Sequence, residues 1–346
     1  MNDPRMLDDI RNQRASLAAV LDHQFGAGRR ALAEAEQKLK TAHEIVISGM
    51  GASHFAAMPL AYWLIAHGIR AHVVEAAELL HYQRALGRNA TVVLVSRSGN
   101  TIEVAKLIPV LKELGATVIG VTNEPDSTLA RDAHLPVLVN SGKDEMVAVQ
   151  TYTGAVLTMM LMAGAVTGEP EQKWRSGAET AIGAVGSMIE RFVPESAGWR
   201  PFVESARVVY VIGRGPSHAS VHEGALLFNE TARLPSVALP GGTFRHGPVE
   251  VVDGNFHAIL FATQEETLDL DLTLAADLEQ MGAQVRTVSR DGSWPVPEVP
   301  RPFVPMVEII PLQLAAFRAA EVRGIRPGGF RYVTQVTMSE TGFLRP

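Results

Sequence analysis

Cysteine is absent from the 346 residues of this chain. Its absence excludes disulfides, thiolate metal sites and a cysteine nucleophile, so a glutamine-hydrolysing activity of the cysteine type cannot reside here. An excess of positive charge is missing too, because the formal net charge is −6. Nucleic-acid-binding domains present a basic surface, so we expect no nucleic-acid partner.

Long apolar runs are also missing. Residues 1–5 show no apolar core of a signal peptide, and no stretch of about 18 uncharged apolar residues occurs. The apolar segment 155–166 is too short to span a bilayer, and we interpret it as a buried helix. These absences predict a cytoplasmic protein that makes no membrane contact.

What the chain does contain is an alternation of strand-like apolar runs and helical patterns. Strands are predicted at residues 44–48, 71–75, 91–96, 117–122 and 135–139. Helices are predicted near residues 54–67, 77–85, 101–114 and 128–131. Such alternation indicates a doubly wound parallel sheet of the α/β class.

The second half of the chain repeats the first. Residues 47–54 match residues 211–218, and residues 111–118 match residues 278–285 at nearly the same offset. A polar stretch after residue 168 separates the copies, so one duplicated α/β domain is predicted. The predicted organisation is a helical leader at 1–38, a first domain at 39–168, a linker helix at 169–196, a second domain at 197–325 and a tail at 326–346.

A hydroxyl-rich turn follows the third predicted strand and precedes an amphipathic helix. It reads Ser96-Arg97-Ser98-Gly99-Asn100-Thr101, and we call it the first loop. Free backbone N–H groups at a helix N-terminus, the helix dipole and three hydroxyls together suit a phosphate dianion. An ordinary N-cap would need only one such hydroxyl. The first loop is therefore predicted to bind phosphate.

The counterpart of this turn in the second copy, which we call the second loop, is degenerate. It reads Ala262-Thr263-Gln264-Glu265-Glu266-Thr267. Two hydroxyls are gone and two carboxylates have arrived, and carboxylates repel a phosphate. Only the first copy is expected to bind phosphate.

A partial dinucleotide-binding pattern precedes the first loop. Gly49 and Gly51 lie between a strand and a helix, and Glu75 ends the next strand. However, His54 occupies the third glycine position, and the first loop lies on a later strand-to-helix turn, where a nicotinamide fold would not need it. Dinucleotide binding is therefore disfavoured.

Five short motifs follow one another along the chain. They are Gly49-Met50-Gly51-Ala52-Ser53, the first loop, Glu145-Met146-Val147-Ala148, Glu223-Gly224-Ala225 leading to Asn229-Glu230, and Arg245-His246-Gly247-Pro248. In this order they resemble the tandem sugar isomerase (SIS) domain family, in particular the isomerase half of glutamine–fructose-6-phosphate transaminase. Stand-alone relatives include glucosamine-6-phosphate deaminases and fructosamine-6-phosphate deglycases. The resemblance implies two tandem flavodoxin-like domains.

The resemblance also implies a phosphosugar site. Ser96, Ser98 and Thr101 would hold the phosphate, while Ser53 and the backbone near Val147 would contact the sugar. The full set of implied substrate-binding residues is Gly51, Ala52, Ser53, Ser96, Arg97, Ser98, Asn100, Thr101 and Val147. No metal or organic cofactor is expected.

Two catalytic residues are implied in the same way. Glu230 matches the general base that moves a proton between C1 and C2 of the open-chain sugar, and a carboxylate suits that step when a closed pocket raises its pKa. His246 matches the ring-opening residue, which the family delivers from the partner subunit, and an imidazole titrates in the required range. A homodimer is therefore implied. Judged by its residue type and position alone, Glu230 would be a solvated helix charge.

One departure from the family bears on the substrate. Relatives that isomerise a ketose carry a lysine just before a Val-Thr pair near the C-terminus, where it forms an imine with the ketone. Here Thr334 or Gln335 stands in that place, and no lysine follows Lys173. A substrate that already carries nitrogen needs no enzyme amine. We therefore expect a phosphorylated amino sugar, with deamination of glucosamine 6-phosphate as the first choice of reaction.

Other activities stay open at this point. A fructosamine-6-phosphate deglycase, a simple phosphosugar isomerase and a transaminase fed by another subunit are the alternatives among enzymes. A non-catalytic phosphosugar sensor is the alternative of another class. The short leader of mixed charge offers no basic helix-turn-helix domain for a sensor that acts on DNA.

Overall fold

The computed structural model describes residues 5–332, 334 and 336–342. The strands among these residues form two five-stranded parallel sheets. The first sheet consists of β1 (Ile45–Gly49), β2 (Ala71–Glu75), β3 (Thr91–Val95), β4 (Thr117–Thr122) and β5 (Leu135–Leu138). The second consists of β6 (Val209–Gly213), β7 (Ser236–Pro240), β8 (His257–Phe261), β9 (Gln284–Ser289) and β10 (Trp294–Pro295).

Both sheets have the same topology. The strand order is β2-β1-β3-β4-β5 in the first and β7-β6-β8-β9-β10 in the second. Ile45 of β1 pairs with Thr91 of β3, and Val209 of β6 pairs with His257 of β8, which is the pairing expected from the sequence repeat. This strand order is that of the flavodoxin-like doubly wound fold. The predicted fold class, two tandem doubly wound parallel sheets, is confirmed.

The described residues form two compact units, each built around one sheet. The first-sheet unit comprises Ala15–Lys143, Gln150–Glu179 and the described residues from Phe330 onward. The second-sheet unit comprises the described residues up to Arg14, Asp144–Val149 and Thr180–Gly329.

Helices connect the strands within each unit. Those of the first-sheet unit are α2 (Arg29–Lys40), α3 (Gly51–Ala66), α4 (Ala76–His81), α5 (Ile102–Glu113), α6 (Thr128–Asp132) and α7 (Gln150–Thr167). Those of the second-sheet unit are α9 (Arg200–Ser205), α10 (His218–Ala232), α11 (Gly241–Phe244), α12 (Leu268–Gln280), α13 (Val304–Glu308) and α14 (Ile310–Val322). The division between the units falls within the two remaining helices, α1 (Arg5–Phe25) and α8 (Glu171–Glu195).

Burial on both faces explains why the strands were visible in the sequence. Every residue of β1, β3 and β8 is buried, and a parallel strand covered by helices on both faces has a continuous apolar sequence. The five predicted strands of the first half agree with the observed ones to within one residue at each end. The helix predicted at 77–85 is shorter than expected, because the N–H groups of Tyr82 and Gln83 both donate to the Glu78 carbonyl and close α4 there.

Two apolar segments lie inside the protein. Residues 155–166 belong to α7, which is buried along nearly its whole length as predicted. A second segment, Arg301–Val322, has the length and composition of a membrane-crossing helix, although no such run was expected. Since 89% of its apolar window is buried inside the structure, this segment has the surroundings of a core helix.

Asp9 of α1 holds the short segment Asp144–Val149 within the second-sheet unit. Its Oδ2 atom accepts a hydrogen bond from the Glu145 N–H at 2.9 Å. Asp144 Oδ2 in turn accepts one from the Val149 N–H at 3.1 Å. Burial raises the pKa of Asp9 to about 7, with smaller contributions from the charges of Asp144 and Glu145.

We expect the Asp9→Asn substitution to change how stability depends on pH. The folded-state pKa lies above the ordinary value of 3.8, so the folded protein binds this proton more tightly than the unfolded chain. The stabilisation is complete below about pH 4 and is lost as the pH rises towards about 7. Asparagine does not ionise, so the variant does not lose stability in this way as the pH rises. The unfolding temperature of the variant relative to wild type should therefore be higher at pH 8 than at pH 5, measured by calorimetry.

The exposed Asp22, farther along α1, provides the control, because its charge is not among those that raise the pKa of Asp9. The Asp22→Asn variant should not reproduce the difference between pH 5 and pH 8 that is expected for Asp9→Asn. An Asp9→Asn difference of the same size at both pH values would contradict the prediction.

Helices α10 and α14 approach each other closely at Gly224. A β-carbon added at Gly224 would overlap the Cδ2 atom of Leu312, whose side chain is fully buried. Only glycine fits here without displacing the buried side chain of Leu312. This packing explains why a glycine occupies the middle of α10, where it lowers the intrinsic stability of the helix.

Gly224→Ala should therefore destabilise the protein by about 1–3 kcal/mol, the usual cost of overpacking a core. The matched control is Gly183→Ala in α8, where no atom lies within 4 Å of the added β-carbon. There alanine should stabilise by roughly 0.5–1 kcal/mol, because it favours the helix over the unfolded chain. Urea unfolding of both variants measures the difference, and equal effects would disprove the packing argument.

Candidate functional site

The first loop joins the carboxyl end of β3 to the start of α5. Ser96 is buried, and its Oγ atom shares a hydrogen bond with Thr101 Oγ1 at 3.1 Å. Thr101 is the N-cap residue of α5, but its side chain makes no capping hydrogen bond in the described structure. The hydroxyls of Ser96 and Thr101 therefore lie together beside the N–H groups of a helix N-terminus. This arrangement suits an anion and was predicted from the sequence.

Glycine and asparagine give the first loop its shape. Gly99 has a φ of +62°, and a β-carbon there would overlap Ser127. The Gly99 N–H donates to Ser96 Oγ at 3.1 Å. Asn100 Oδ1 accepts a hydrogen bond from the Thr128 N–H at 2.9 Å, which ties the loop to α6. Asn100 thus positions the loop, and the Oγ atom of the half-buried Ser98 accepts a hydrogen bond from the Asn100 N–H at 3.3 Å.

The start of α3 lies against the same loop. Ser53 Oγ accepts a hydrogen bond from the Arg97 N–H at 3.1 Å. The Arg97 carbonyl accepts from the Asn123 N–H, also at 3.1 Å. Gly51 and Ala52 begin α3 just before Ser53. The structure therefore brings together all the implied substrate-binding residues from Gly51 to Ser53 and from Ser96 to Thr101 within the first-sheet unit.

Carboxyl groups stand near this edge of the sheet. Glu103 is buried in the first turn of α5, and Glu75 ends β2. Burial raises the pKa of Glu75, and the charges of Glu78 and Glu103 raise it further.

Part of the tail contacts α5. The Ile102 N–H, the first of α5, donates to the Thr337 carbonyl at 3.0 Å. The carboxylate of Glu340 accepts hydrogen bonds from Lys106 and from His81, and these bonds lower the pKa of Glu340. The tail is therefore attached to the helix that carries the first loop.

Thr334 and Gln335 are the two residues that correspond to the family's lysine. Thr334 Oγ1 donates to the Val336 carbonyl at 2.6 Å. Gln335 lies outside the residues that the structure describes.

The other predicted site residues belong to the second-sheet unit. Val147 is buried in the segment that Asp9 holds. Glu230 is half-buried near the C-terminal end of α10, and His246 is exposed in the turn after α11. The structure therefore does not place Val147, Glu230 or His246 in the unit that carries the first loop.

Glu230 and His246 are connected to opposite ends of β7, an edge strand of the second sheet. Asn229 exchanges hydrogen bonds with Ser236, so the end of α10 meets the start of β7. His246 follows the other end of that strand, beyond Pro240. Glu230 therefore precedes β7 and His246 follows it, and the two implied catalytic residues are attached to different ends of this strand.

The second loop differs from the sequence-based expectation in one respect. Glu265 and Glu266, which were expected to repel phosphate, are exposed and pair with Arg301. The carboxylate that does lie at the second loop is that of Glu308, which is fully buried and accepts a hydrogen bond from Thr263. Sequence analysis missed Glu308. Its signal was a single charge within the apolar segment 303–310.

A possible metal-binding spacing was also overlooked in the sequence. His218 and His222 are four residues apart on α10, with their ring centroids 6.4 Å apart. Burial lowers the pKa of both side chains. Within the described ranges, no group of three or more histidine, aspartate or glutamate side chains is arranged to hold a metal ion. The absence of a metal cofactor stays a prediction.

Comparison with known proteins agrees with this architecture. A model of the SIS domain matches residues 38–167 and again residues 203–322, together more than half of the chain. The chain is 28% identical over 335 residues to glutamine–fructose-6-phosphate aminotransferase (isomerizing) of Pyrobaculum aerophilum, covering 93% of this chain and 55% of that protein. It is 27% identical over 307 residues to glutamine–fructose-6-phosphate aminotransferase (isomerizing) 1 of Arabidopsis thaliana. This match covers 83% of this chain and 45% of that protein. The chain spans about half the length of these curated relatives.

Solved structures share the fold over nearly the whole chain. Glucosamine-6-phosphate deaminase of Thermotoga maritima superposes with a TM-score of 0.81 at 22% identity, covering 96% of this chain and 99% of that one. Tagatose-6-phosphate ketose/aldose isomerase of Escherichia coli gives a TM-score of 0.74 at 19% identity, covering 93% and 94%. With the domain model matched in both halves, the chain belongs to the SIS domain family and is a homologue of the isomerase half of glutamine–fructose-6-phosphate aminotransferase.

Proposed function

We propose that this chain is a phosphosugar enzyme that deaminates an amino-sugar 6-phosphate, with glucosamine 6-phosphate converted to fructose 6-phosphate and ammonia. The observation that carries the proposal is the geometry of the first loop. Hydroxyls of Ser96 and Thr101 meet at a helix N-terminus that Thr101 does not cap. Hydrogen bonds to a charged group contribute about 1.5–3 kcal/mol each, so such a loop is able to anchor a small phosphorylated substrate.

The preference for an amino sugar rests on the missing lysine. No lysine follows Lys173, so this part of the chain has no amine to form an imine with a ketone. In open-chain glucosamine 6-phosphate, loss of the C2 proton and protonation at C1 give an imine at C2. Water then releases ammonia and leaves the ketone. Each step before hydrolysis moves only protons, so no enzyme amine is needed.

Glu230 and His246 have the catalytic roles in this proposal. Glu230 takes the proton from C2 and returns it at C1, as a general base does. His246 opens the sugar ring by passing a proton between the ring oxygen and the anomeric hydroxyl. The resemblance to the family implies a homodimer in which His246 serves the partner's substrate. The names of the T. maritima and E. coli structures, a deaminase and a ketose/aldose isomerase, support the reaction class.

Ammonia release from glucosamine 6-phosphate is the decisive assay. It should be run beside fructosamine 6-phosphates and unmodified hexose 6-phosphates. Turnover of a fructosamine 6-phosphate alone would replace deamination by deglycation. Binding without turnover across the whole panel would favour the phosphosugar sensor.

Removing one hydroxyl from the first loop should weaken substrate binding. We expect Thr101→Val to raise the dissociation constant of glucosamine 6-phosphate by about 10–100-fold, the equivalent of one hydrogen bond to a charged group. The matched control is Thr267→Val, the same change at the repeat counterpart in the second loop. It should leave the affinity unchanged. Isothermal titration calorimetry compares the two, and equal losses of affinity would refute the assignment of the phosphate to the first loop.

Substitution of the proposed base should separate chemistry from binding. Glu230→Gln keeps the shape of the side chain but removes its ability to accept a proton at carbon. The rate of ammonia release should fall by at least about 100-fold, in line with the usual contribution of a general base. The dissociation constant for the substrate should change little. Retained turnover would show that another group is the base.

A further inference from the structure

The donors of the second loop converge on one carboxylate of the same chain. Ser217 is the repeat counterpart of Ser53. It donates to Glu308 Oε2 at 3.0 Å, and Thr263 donates to the same oxygen. Ser220 donates to Glu308 Oε1 at 2.7 Å. Both carboxylate oxygens are therefore held by hydroxyl groups.

The surroundings of Glu308 are those of a bound anion. Gln264 Nε2 donates to Ser217 Oγ at 2.9 Å, which leaves the hydroxyl hydrogen of Ser217 for Glu308. Ser217 is the N-cap residue of α10, and Ser220 lies in its first turn. Glu308 has 0% exposure, and no cation of the described chain pairs with it. Burial raises the pKa of Glu308, and the hydrogen bonds from the three hydroxyls lower it and so offset part of the cost of burial, as they would for a phosphate.

The remaining hydroxyl of the second loop is also engaged. Thr267, the counterpart of Thr101, donates to Asp271 Oδ2 at 2.8 Å. Asp271 is buried and forms an ion pair with Arg214. No hydroxyl group of the second loop is therefore left for an external phosphate.

We propose that Glu308 is an internal ligand of the second-sheet unit, occupying the place that corresponds to the phosphate site of the first loop. Each chain then has one phosphosugar site, in the first-sheet unit. This stoichiometry rests on the proposed function, whereas the role of Glu308 as an anion within a donor set does not. The sequence analysis attributed the loss of phosphate binding at the second loop to Glu265 and Glu266. In the proposal the buried Glu308 is responsible, since Glu265 and Glu266 are exposed and pair with Arg301.

A cavity gives access to this position. Its volume is about 630 Å³, and Thr263 and Glu308 form part of its wall together with Leu268, Leu272 and Val307. Removal of the Glu308 side chain would join the vacated space to this cavity. A small carboxylate from solution could then reach the three hydroxyl groups.

Chemical rescue of Glu308→Ala tests the proposal. The unfolding temperature of the variant should lie below that of wild type and should rise with sodium formate at constant ionic strength. Occupation of the vacated site at tenfold the dissociation constant of formate should raise it by about 3–6 °C. Formate should raise the unfolding temperature of the wild type by less, because its own carboxylate fills the second loop and only the first loop is left to bind an anion. A folded variant that formate does not stabilise would overturn the proposal.

Val307→Ala is the matched control. It removes buried volume from the same cavity wall without removing a carboxylate. Its unfolding temperature should fall and should respond to formate no more than that of the wild type does. An equal response in both variants would show general salt stabilisation and would also overturn the proposal.

Two further measurements keep the test decisive. If Glu308→Ala does not fold alone, its refolding yield with and without formate gives the same comparison. Titration of the wild type with inorganic phosphate should show one equivalent bound per chain, and two equivalents would contradict the filled second site. No bound phosphate would count against the proposed function, while the formate experiment would still decide the role of Glu308.

Discussion

Hydrogen-bond donors gathered at a helix N-terminus need an anion, and this requirement governs both halves of the chain. After β3, the hydroxyls of Ser96 and Thr101 meet at the start of α5. In the second half, Ser217, Ser220 and Thr263 surround the carboxylate of Glu308 at the start of α10. In our proposals an external phosphate meets this requirement in the first-sheet unit, and the chain's own Glu308 meets it in the second.

The fold was largely predictable because its determinants are local. Strands such as β3 are apolar throughout, since helices cover both faces of the sheet. The first loop was also visible, because its three hydroxyls and its glycine lie within six residues. Glu308 was not, since its partners Thr263, Ser220 and Ser217 lie 45, 88 and 91 residues away along the chain. Only folding brings those groups together, so their spacing in the sequence does not predict the contact.

The positions of the implied catalytic residues could not be predicted from their local sequence either. Glu230 and His246 are close in sequence and lie in motifs that resemble the family's. In the fold they are separated by β7, because one lies before the strand and the other after it. Neighbouring motifs in the sequence thus lie at different ends of one strand in the fold, and the homodimer stays a proposal that rests on the family resemblance.

The filled second loop has a thermodynamic consequence. A protein that binds a ligand only when folded becomes more stable as the ligand concentration rises. The second loop carries its carboxylate covalently, so the local concentration of that group is fixed and the order of this loop does not depend on an external anion. Among the described residues, no carboxylate accepts a hydrogen bond from the hydroxyls of Ser96, Ser98 or Thr101 in the first loop. Resistance to local unfolding, followed by hydrogen exchange, would accordingly depend on a bound phosphate at the first loop and be independent of it at the second loop.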